Sequence, residues 1–316
     1  MHQVTYSTQD LATVVITTKN RKDELRTAIR SALSQTLPVK VLLIDDGSTD
    51  GTTEMVRAEF PQVRLERSAE SLGYIAQRNR AARLATTAFV FSIDDDAEFA
   101  SSHTIEQTLA DFQHPRVGAV AIPYIEPGKA NMVLQRAPAR EGTWVTDSYV
   151  GTAHAVRREL FLKLSGYRAS LVHQGEEGDF CVRLLQAGWL VRLGRGNPIH
   201  HHESPRRDSS RMDFYGRRND VLFAWHNVPT SYFPIHLLGT TLNGLLFGVR
   251  CGRFARMARG IAAGYVECWR ARRERQPVSV STYRLHRHLK KCGPMRLEDI
   301  EAQLPPLSSA HAISRL

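Results

Sequence analysis

The sequence is poor in cysteine. Its four cysteines, Cys181, Cys251, Cys268 and Cys292, stand far apart and form no CxxC pair. That excludes a disulfide framework and a thiolate zinc site, and fits a reducing compartment. The chain also lacks any run of 18 uninterrupted apolar residues, so no membrane span is expected. Met1 to Asp10 carries no apolar core of a signal peptide, and the expected location is cytoplasmic. There is no GxGxxG turn, which argues against a dinucleotide enzyme, and no GxxxxGK[ST] phosphate loop. No nucleic-acid module, internal repeat or low-complexity block is recognisable. What remains is 316 residues of ordinary globular composition, 42% hydrophobic and 23% charged. That suffices for one large domain or a domain with an appendage.

The net charge of +10 is concentrated. Arg250 to Lys291 holds twelve Arg or Lys against Glu267 and Glu274, which accounts for the whole imbalance. The rest of the chain is neutral. This points to a local anionic partner rather than to nucleic acid along the whole surface.

What is present is organised around Phe89-Val90-Phe91-Ser92-Ile93-Asp94-Asp95-Asp96-Ala97. A short apolar run rich in β-formers reads as a buried strand. It delivers three carboxylates into one small volume, where they repel each other unless a cation is present. A hard divalent ion held by one or two carboxylates and a substrate diphosphate resolves the conflict. In open α/β sheets, ligands bind beyond the carboxyl ends of strands. A lone Asp triplet also reads as a solvated acidic turn, but a second strand of the same kind lies upstream.

In chain order, Ala12 to Thr18 is a first buried strand, and Asp23 is placed to cap a helix from Glu24 to Ser34. Val39 to Ile44 is a strand ending in Asp45-Asp46-Gly47-Ser48, followed by a helix from Thr53 to Phe60 and a strand from Val63 to Glu66. Gly73-Tyr74 opens a helix carrying Arg78, Asn79 and Arg80. Strand–helix alternation of this kind predicts a parallel sheet covered by helices. Beyond Asp96 the spacing predicts a helix from His103 to Phe112, a strand from Val117 to Tyr124, and a long loop or hairpin from Glu126 to Asp147. A strand at Gly151 to Val156 and helices at Arg158 to Leu164 and Glu177 to Ala187 follow, then a strand from Leu190 to Leu193 leading to His200-His201-His202. From Met212 to about Lys291 the chain reads as helical, and the tail after Leu304 as disordered.

Five motifs in order resemble the family-2 inverting nucleotide-sugar glycosyltransferases, which have the GT-A fold. They are Thr17-Thr18-Lys19-Asn20-Arg21, the two strand ends at Asp45-Asp46 and Asp94-Asp95-Asp96, Gly73-Tyr74-Ile75-Ala76-Gln77-Arg78-Asn79, Gly175-Glu176-Glu177-Gly178-Asp179-Phe180, and His201-His202-Glu203-Ser204-Pro205. The resemblance covers roughly Ala12 to Asp220. It implies a mostly parallel α/β sheet with a catalytic domain at 1–228, its donor half at about 12–124 and its acceptor half at about 125–228, and a helical basic extension at 229–316.

The resemblance assigns Thr17, Lys19, Asn20, Arg21, Asp46, Gly73, Arg78, Asp94 and Asp95 to the nucleotide-sugar donor. Asp46 can accept from uracil or thymine N3–H, or it can cap the turn that follows it. Arg78 lies near the diphosphate, or is an exposed helix arginine. Asp96 and His202 are assigned to a Mg²⁺ or Mn²⁺ ion. Alternation places His200 and His202 on one face, and His202 is preferred. The general base is the second acidic residue of the helix-start pair, here Glu177, where the commoner residue is Asp. Glu176 and Asp179 read as companions that match the helix dipole.

The expected activity is transfer of a sugar from a UDP- or dTDP-linked donor to a saccharide, lipid-linked or small-molecule acceptor hydroxyl, with inversion. Such chemistry would serve cell-surface polysaccharide, glycolipid or glycosylated metabolite synthesis. A processive synthase is disfavoured, because there is no QxxRW motif. The alternative is a catalytically silent scaffold of the same fold. The apolar stretch Ile235 to Phe247 beside Arg250, Arg253, Arg256 and Arg259 reads as peripheral attachment to an anionic membrane at its inner face, or as a solvated basic helix. The loops Glu126 to Asp147 and Gly166 to Gly175 carry no readable acceptor code.

Overall fold

The computed structural model describes residues 11–127, 132–202 and 208–307. The disordered tail read after Leu304 lies outside these residues from 308 onward, as do Glu203, Ser204 and Pro205 of the late histidine motif. β1 (Ala12–Thr18) is almost wholly buried, as its unbroken apolar run requires. α1 (Lys22–Leu33) follows and buries Leu25, Ala28, Ile29 and Ala32 at helical spacing. Asp23 is not its cap. Asn20 takes a left-handed turn (φ 56°), and the helix starts before Asp23. Asp23 pairs instead with Arg26 at 2.6 Å, and the Lys22 N–H donates to Asp50 Oδ2 at 3.2 Å.

β2 (Lys40–Asp45), α2 (Thr52–Glu59), β3 (Arg64–Arg67), α3 (Tyr74–Leu84) and β4 (Phe89–Asp94) complete the alternating half. β3, β2, β1 and β4 lie side by side and parallel. Their carboxyl ends therefore emerge on one edge, which sets Asp45-Asp46 and Asp94-Asp95-Asp96 beside Thr17 and Thr18. β5 (Ala97–Phe99) and α4 (Thr104–Ala110) lead to β6 (Val117–Ala121) and β7 (Tyr124–Ile125). The single strand expected from Val117 to Tyr124 breaks at Ile122-Pro123, because proline has no N–H for a ladder. β6 stays in the large sheet and β7 joins a small one.

The expected long loop holds two short strands, β8 (Val133–Leu134) and β9 (Trp144–Thr146). β10 (His154–Arg157), α5 (Arg158–Lys163), α6 (Glu176–Gln186), β11 (Leu190–Leu193) and β12 (Ile199–His201) follow. The helical part is α7 (Ser209–Asn227), α8 (Phe233–Arg250), α9 (Phe254–Arg270) and α10 (Val280–Cys292). It ends in β13 (Met295–Arg296) and α11 (Leu297–Ile300). The large sheet runs β13-β9-β11-β6-β10-β4-β1-β2-β3, and only β9 and β10 run against the others. This is an α/β fold with a mostly parallel sheet flanked by helices and a helical C-terminal region. That region is anchored: β13 pairs with β9, and Leu285, Leu289, Leu297 and Ile300 share a core with Val145, Leu185 and Leu190.

α7 and α9 meet through glycines. A Cβ on Gly260 would come within 2.3 Å of the Phe214 carbonyl oxygen, and one on Gly264 within 2.7 Å of Val221. Alanine at 260 gains about 1 kcal/mol of helix propensity. It also meets a backbone atom that no rotamer change can move, and overpacking of that kind costs about 1–3 kcal/mol. Gly260→Ala should therefore lower the urea midpoint at unchanged m-value. A raised midpoint would mean that α7 can retreat without cost.

Candidate active site

The carboxyl end of β4 brings its three aspartates against two arginines. Arg78 donates Nη2 to Asp94 Oδ1 at 2.5 Å. Arg21 donates Nη1 to both Asp95 Oδ1 (2.9 Å) and Asp96 Oδ2 (2.8 Å). Asp95 is buried beneath Thr18, whose hydroxyl donates to Oδ2 at 2.8 Å. Burial pushes the Asp95 carboxyl up to about 7, with Arg21 opposing and Asp96 reinforcing the rise. Asp95 and Asp96 are thus both buried, and Asp94 is the partly exposed member of the triplet.

The small sheet β5-β12-β7-β8 supplies the histidine. β12 runs antiparallel to β5 with His201 opposite Ala97, and the His202 N–H donates to the Asp96 carbonyl at 2.8 Å. The pleat then turns His201 inward, with Nε2 at 3.4 Å from Asp96 Oδ1 and Nδ1 at 3.8 Å from Glu126. His200 and His202 share the other face and approach Glu98 at 3.8 and 2.9 Å. Alternation along the strand is as read from the sequence, but the choice of His202 is corrected to His201. One ligand atom each from Asp94, Asp96 and His201 lie within 4.8 Å of one another.

At the end of β2 the two aspartates divide the work. Asp45 closes the following turn, accepting from the Ser48 N–H (2.8 Å) and the Thr53 hydroxyl (2.5 Å). Asp46 turns the other way. It accepts from Ser71 Oγ (2.6 Å), Leu72 N–H (2.7 Å), Gly73 N–H (3.0 Å) and Gln77 Nε2 (2.6 Å). Burial raises its pKa, but these four donors outweigh it and hold the carboxyl below its ordinary value. A carboxylate has about four acceptor positions, and three donors from the loop before α3 and one from Gln77 on α3 occupy them. Gly73 opens α3 at φ 84°, a conformation that glycine adopts without strain. Asn20 stitches two loops together: its N–H donates to Ser48 Oγ (3.0 Å), and its Oδ1 accepts from the Thr49 N–H (2.7 Å). Thr17 lies half-buried opposite Asp94 in the ladder, and Lys19 is exposed beside it.

The acidic cluster sits on the first turn of α6. Arg78 reaches it from α3, donating Nη1 to Glu176 Oε1 at 3.2 Å, while Tyr74 donates its hydroxyl to Oε2 at 3.3 Å. Glu176 is fully buried. Glu177 lies beside Gly151, where a Cβ would fall 2.5 Å from Glu177 Oε1 and 2.6 Å from Arg78 Nη1. Only glycine lets that carboxylate and that guanidinium approach. Burial raises both glutamates above the ordinary range. At Glu176 the neighbouring Glu177 adds to the rise and Arg78 opposes it, and at Glu177 Arg78 opposes the rise while Asp94 adds to it. Asp179 is different. Burial would raise it, but Arg183 (2.9 Å), Arg168 (3.0 Å) and Asn227 (2.8 Å) hold it low. It is a structural ion, Glu176 is the anchored partner of Arg78, and Glu177 faces Asp94 and Arg78.

Two contributors had no functional signal in the sequence. Gly151 sits in a stretch read only as a strand. Asn219 lies mid-helix on α7, yet its Nδ2 donates to the carbonyls of Leu171 (2.9 Å), His173 (2.8 Å) and Gln174 (2.7 Å). Val172 (φ 63°) and Gln174 (φ 66°) are left-handed in this loop, so Asn219 clamps a strained approach to α6. Tyr74 also braces it, accepting from the Gln174 N–H at 2.7 Å.

Residues 13–165 match the family described as glycosyl transferase family 2. Over these residues, just under half of its length, the chain is similar to that family. It is 27% identical over 274 residues to the pre-mycofactocin glycosyltransferase of Mycobacterium tuberculosis, a match covering 80% of this chain and 56% of that protein. The chain thus spans little more than half of that relative. It is 26% identical over 276 residues to the N-acetylglucosaminyl-diphospho-decaprenol L-rhamnosyltransferase of the same organism, covering 71% of this chain and 89% of that one. Among solved structures, the mannosyltransferase PcManGT of Pyrobaculum calidifontis, in complex with GDP-Man and Mn²⁺, superposes with a TM-score of 0.57 at 20% identity. That match covers 89% of this chain and 79% of the other, and it shows a shared GT-A fold.

The sorting of the acidic cluster is testable by stability. Asp179→Asn leaves Arg168 and Arg183 facing an uncharged amide. Breaking a buried ion pair of this kind costs about 3 kcal/mol, read as a lowered denaturant midpoint. Because the Asp179 pKa is depressed, its stabilisation is present above the unfolded value of about 3.9 and is lost as pH falls through the folded value. The variant should therefore lose part of the wild-type dependence on acid. An unchanged midpoint would remove the structural role.

Proposed function

We propose that the chain is an inverting glycosyltransferase that uses a nucleoside-diphosphate sugar and Glu177 as general base. The observation that carries this reading is the linkage made by Arg78: one guanidinium bridges Asp94, beside a candidate cation site, and Glu176, next to the base. The donor set of two carboxylates and one imidazole fits a Mg²⁺ or Mn²⁺ ion, with the imidazole favouring Mn²⁺, since Mg²⁺ is usually held through oxygen. Bound between Asp94, Asp96 and His201, such an ion would neutralise the departing nucleoside diphosphate.

Glu177 accepts the proton of an acceptor hydroxyl. The acceptor oxygen forms its bond to the anomeric carbon as the bond to the diphosphate oxygen breaks, and the electron pair leaves with the nucleoside diphosphate. Burial raises the Glu177 pKa, the direction that strengthens a general base, and the Arg78 guanidinium opposes the rise. A UDP- or dTDP-sugar remains the preferred donor, read through the base N3–H by Asp46. That contact requires Asp46 to exchange one of its four donors. The acceptor is a saccharide, lipid-linked or small-molecule hydroxyl.

A peripheral position on an anionic membrane is supported by α8. Ile235, Leu238, Leu242, Leu246 and Val249 recur every three or four residues and are all exposed, and Arg250 and Arg253 follow. No helix among the described residues is long and apolar enough to cross a membrane. A helix of this kind lies in the interface instead. Flotation with phosphatidylglycerol vesicles, weakened by salt and absent with phosphatidylcholine alone, is the expected result.

Glu177→Gln should retain nucleotide binding and lose roughly 10²–10⁴-fold in turnover. The wild-type activity should fall on the acid side with a midpoint above about 4.3, the ordinary glutamate value, because the base is lost as pH drops through a raised pKa. EDTA should abolish binding across a panel of UDP, dTDP and GDP. Near-normal turnover of the glutamine variant, or a product that retains the donor anomer, would sink the mechanism. Binding without any transfer would favour the silent scaffold.

A further inference from the structure

A cavity of about 730 Å³ opens among the start of α6, α7, α8 and α10. One wall is Gln174, Gly175 and Gly178, the residues flanking Glu176 and Glu177. No side chain intrudes at Gly178, where a Cβ would meet nothing within 4 Å. The cavity is charged unevenly. Asp220 is spent on Arg217 at 2.8 Å. That leaves Asp147 against Arg287, Lys290 and Lys291, which line the same space and have no ion pair among the described residues. These three stand at spacing three and four on one face of α10, where like charges repel.

A second observation points the same way. His286 lines the cavity, is 4% exposed, and its Nδ1 has no hydrogen-bond partner among the described residues. A buried polar atom is normally satisfied, so this unpartnered nitrogen marks an unmet polar group in the cavity's lining. α8 joins the two environments. Its polar face, with His236, Thr240 and Asn243, forms a cavity wall, while Leu238, Leu242 and Leu246 lie exposed.

We propose that this cavity is the acceptor pocket and that it takes an acceptor bearing a phosphate or diphosphate group, held by Arg287, Lys290 and Lys291. The assignment as acceptor rests on Glu177 being the base. The anion site itself does not, and the phosphate can come from a lipid head group or from a soluble phosphorylated molecule. Geranyl diphosphate and inorganic pyrophosphate serve as probes, titrated calorimetrically into the full chain in EDTA without nucleotide. Under these conditions the cation site cannot hold a diphosphate. Both probes should bind, and Arg287→Gln and Lys290→Gln should each weaken binding about tenfold, the loss of a charge-assisted hydrogen bond. Both positions are exposed, so the fold should survive, as a thermal melt would verify. Asp96→Asn should leave the affinity unchanged.

Tighter binding of the geranyl ester assigns the phosphate to a lipid, and equal affinities assign it to a soluble molecule. Affinity indifferent to the α10 variants, loss in Asp96→Asn, or no binding at millimolar probe would each overturn the proposal. A failure here leaves the base assignment standing. An inactive Glu177→Gln enzyme that still binds pyrophosphate separates the two in the other direction.

Discussion

The structure of the site depends on one buried guanidinium. Arg78 is 7% exposed and is placed by α3 between Asp94 on the strand side and Glu176 on the helix side, with its plane over Tyr74 at 4.8 Å. A charge so deep is tolerable only with partners, and removing one partner of a buried pair typically costs 3–5 kcal/mol. Three elements distant in sequence are therefore held by one group. The same charge limits how far burial can raise Glu177. Arg21 has the matching role at Asp95 and Asp96. Together the two arginines make a triplet of neighbouring carboxylates compatible with a folded β4 end.

The site is built from two kinds of support. The aspartate side rests on a parallel sheet, where hydrogen-bond ladders fix β1, β2 and β4 and the carboxylates emerge at the ends of β2 and β4. The acid cluster rests on side-chain clamps. Asn219 holds the loop before α6, Asn227 and two arginines hold Asp179, and Asn79 exchanges two hydrogen bonds with the backbone of Tyr167. Ladders are periodic and leave traces in sequence, whereas clamps are single residues that do not.

That difference explains what could be read in advance. The strands Ala12–Thr18 and Leu190–Leu193, the alternating order and the carboxylate-tipped strand ends follow from short-range pattern, and the structure contains them. His201 could not be separated from His202, because the choice depends on the β5–β12 register between residues a hundred positions apart. Asp45 and Asp46 are adjacent and identical, and only the loop at 71–73 distinguishes a turn-closing carboxylate from one that anchors α3. Pro123 was visible but its effect, moving the chain from one sheet to another, required knowing that two sheets exist. Asn219 and Gly151 matter through what lies across from them, which no local window contains.

The clamp on the α6 loop has a consequence for the order in which the molecule is made. Asn219 lies 45 to 48 residues beyond the carbonyls it holds. Until α7 has been synthesised and docked, the loop that holds Val172 and Gln174 in left-handed conformations has the Tyr74 brace but lacks the three hydrogen bonds from Asn219. Chains emerge from the ribosome N-terminus first and fold as their segments become available. β1 to β4 and the aspartates at their ends can be in place well before Glu177 is. A half-made chain would hold its aspartate-tipped strand ends without a positioned α6 acidic cluster, so the complete cluster of carboxylates and arginines is among the last parts to be assembled.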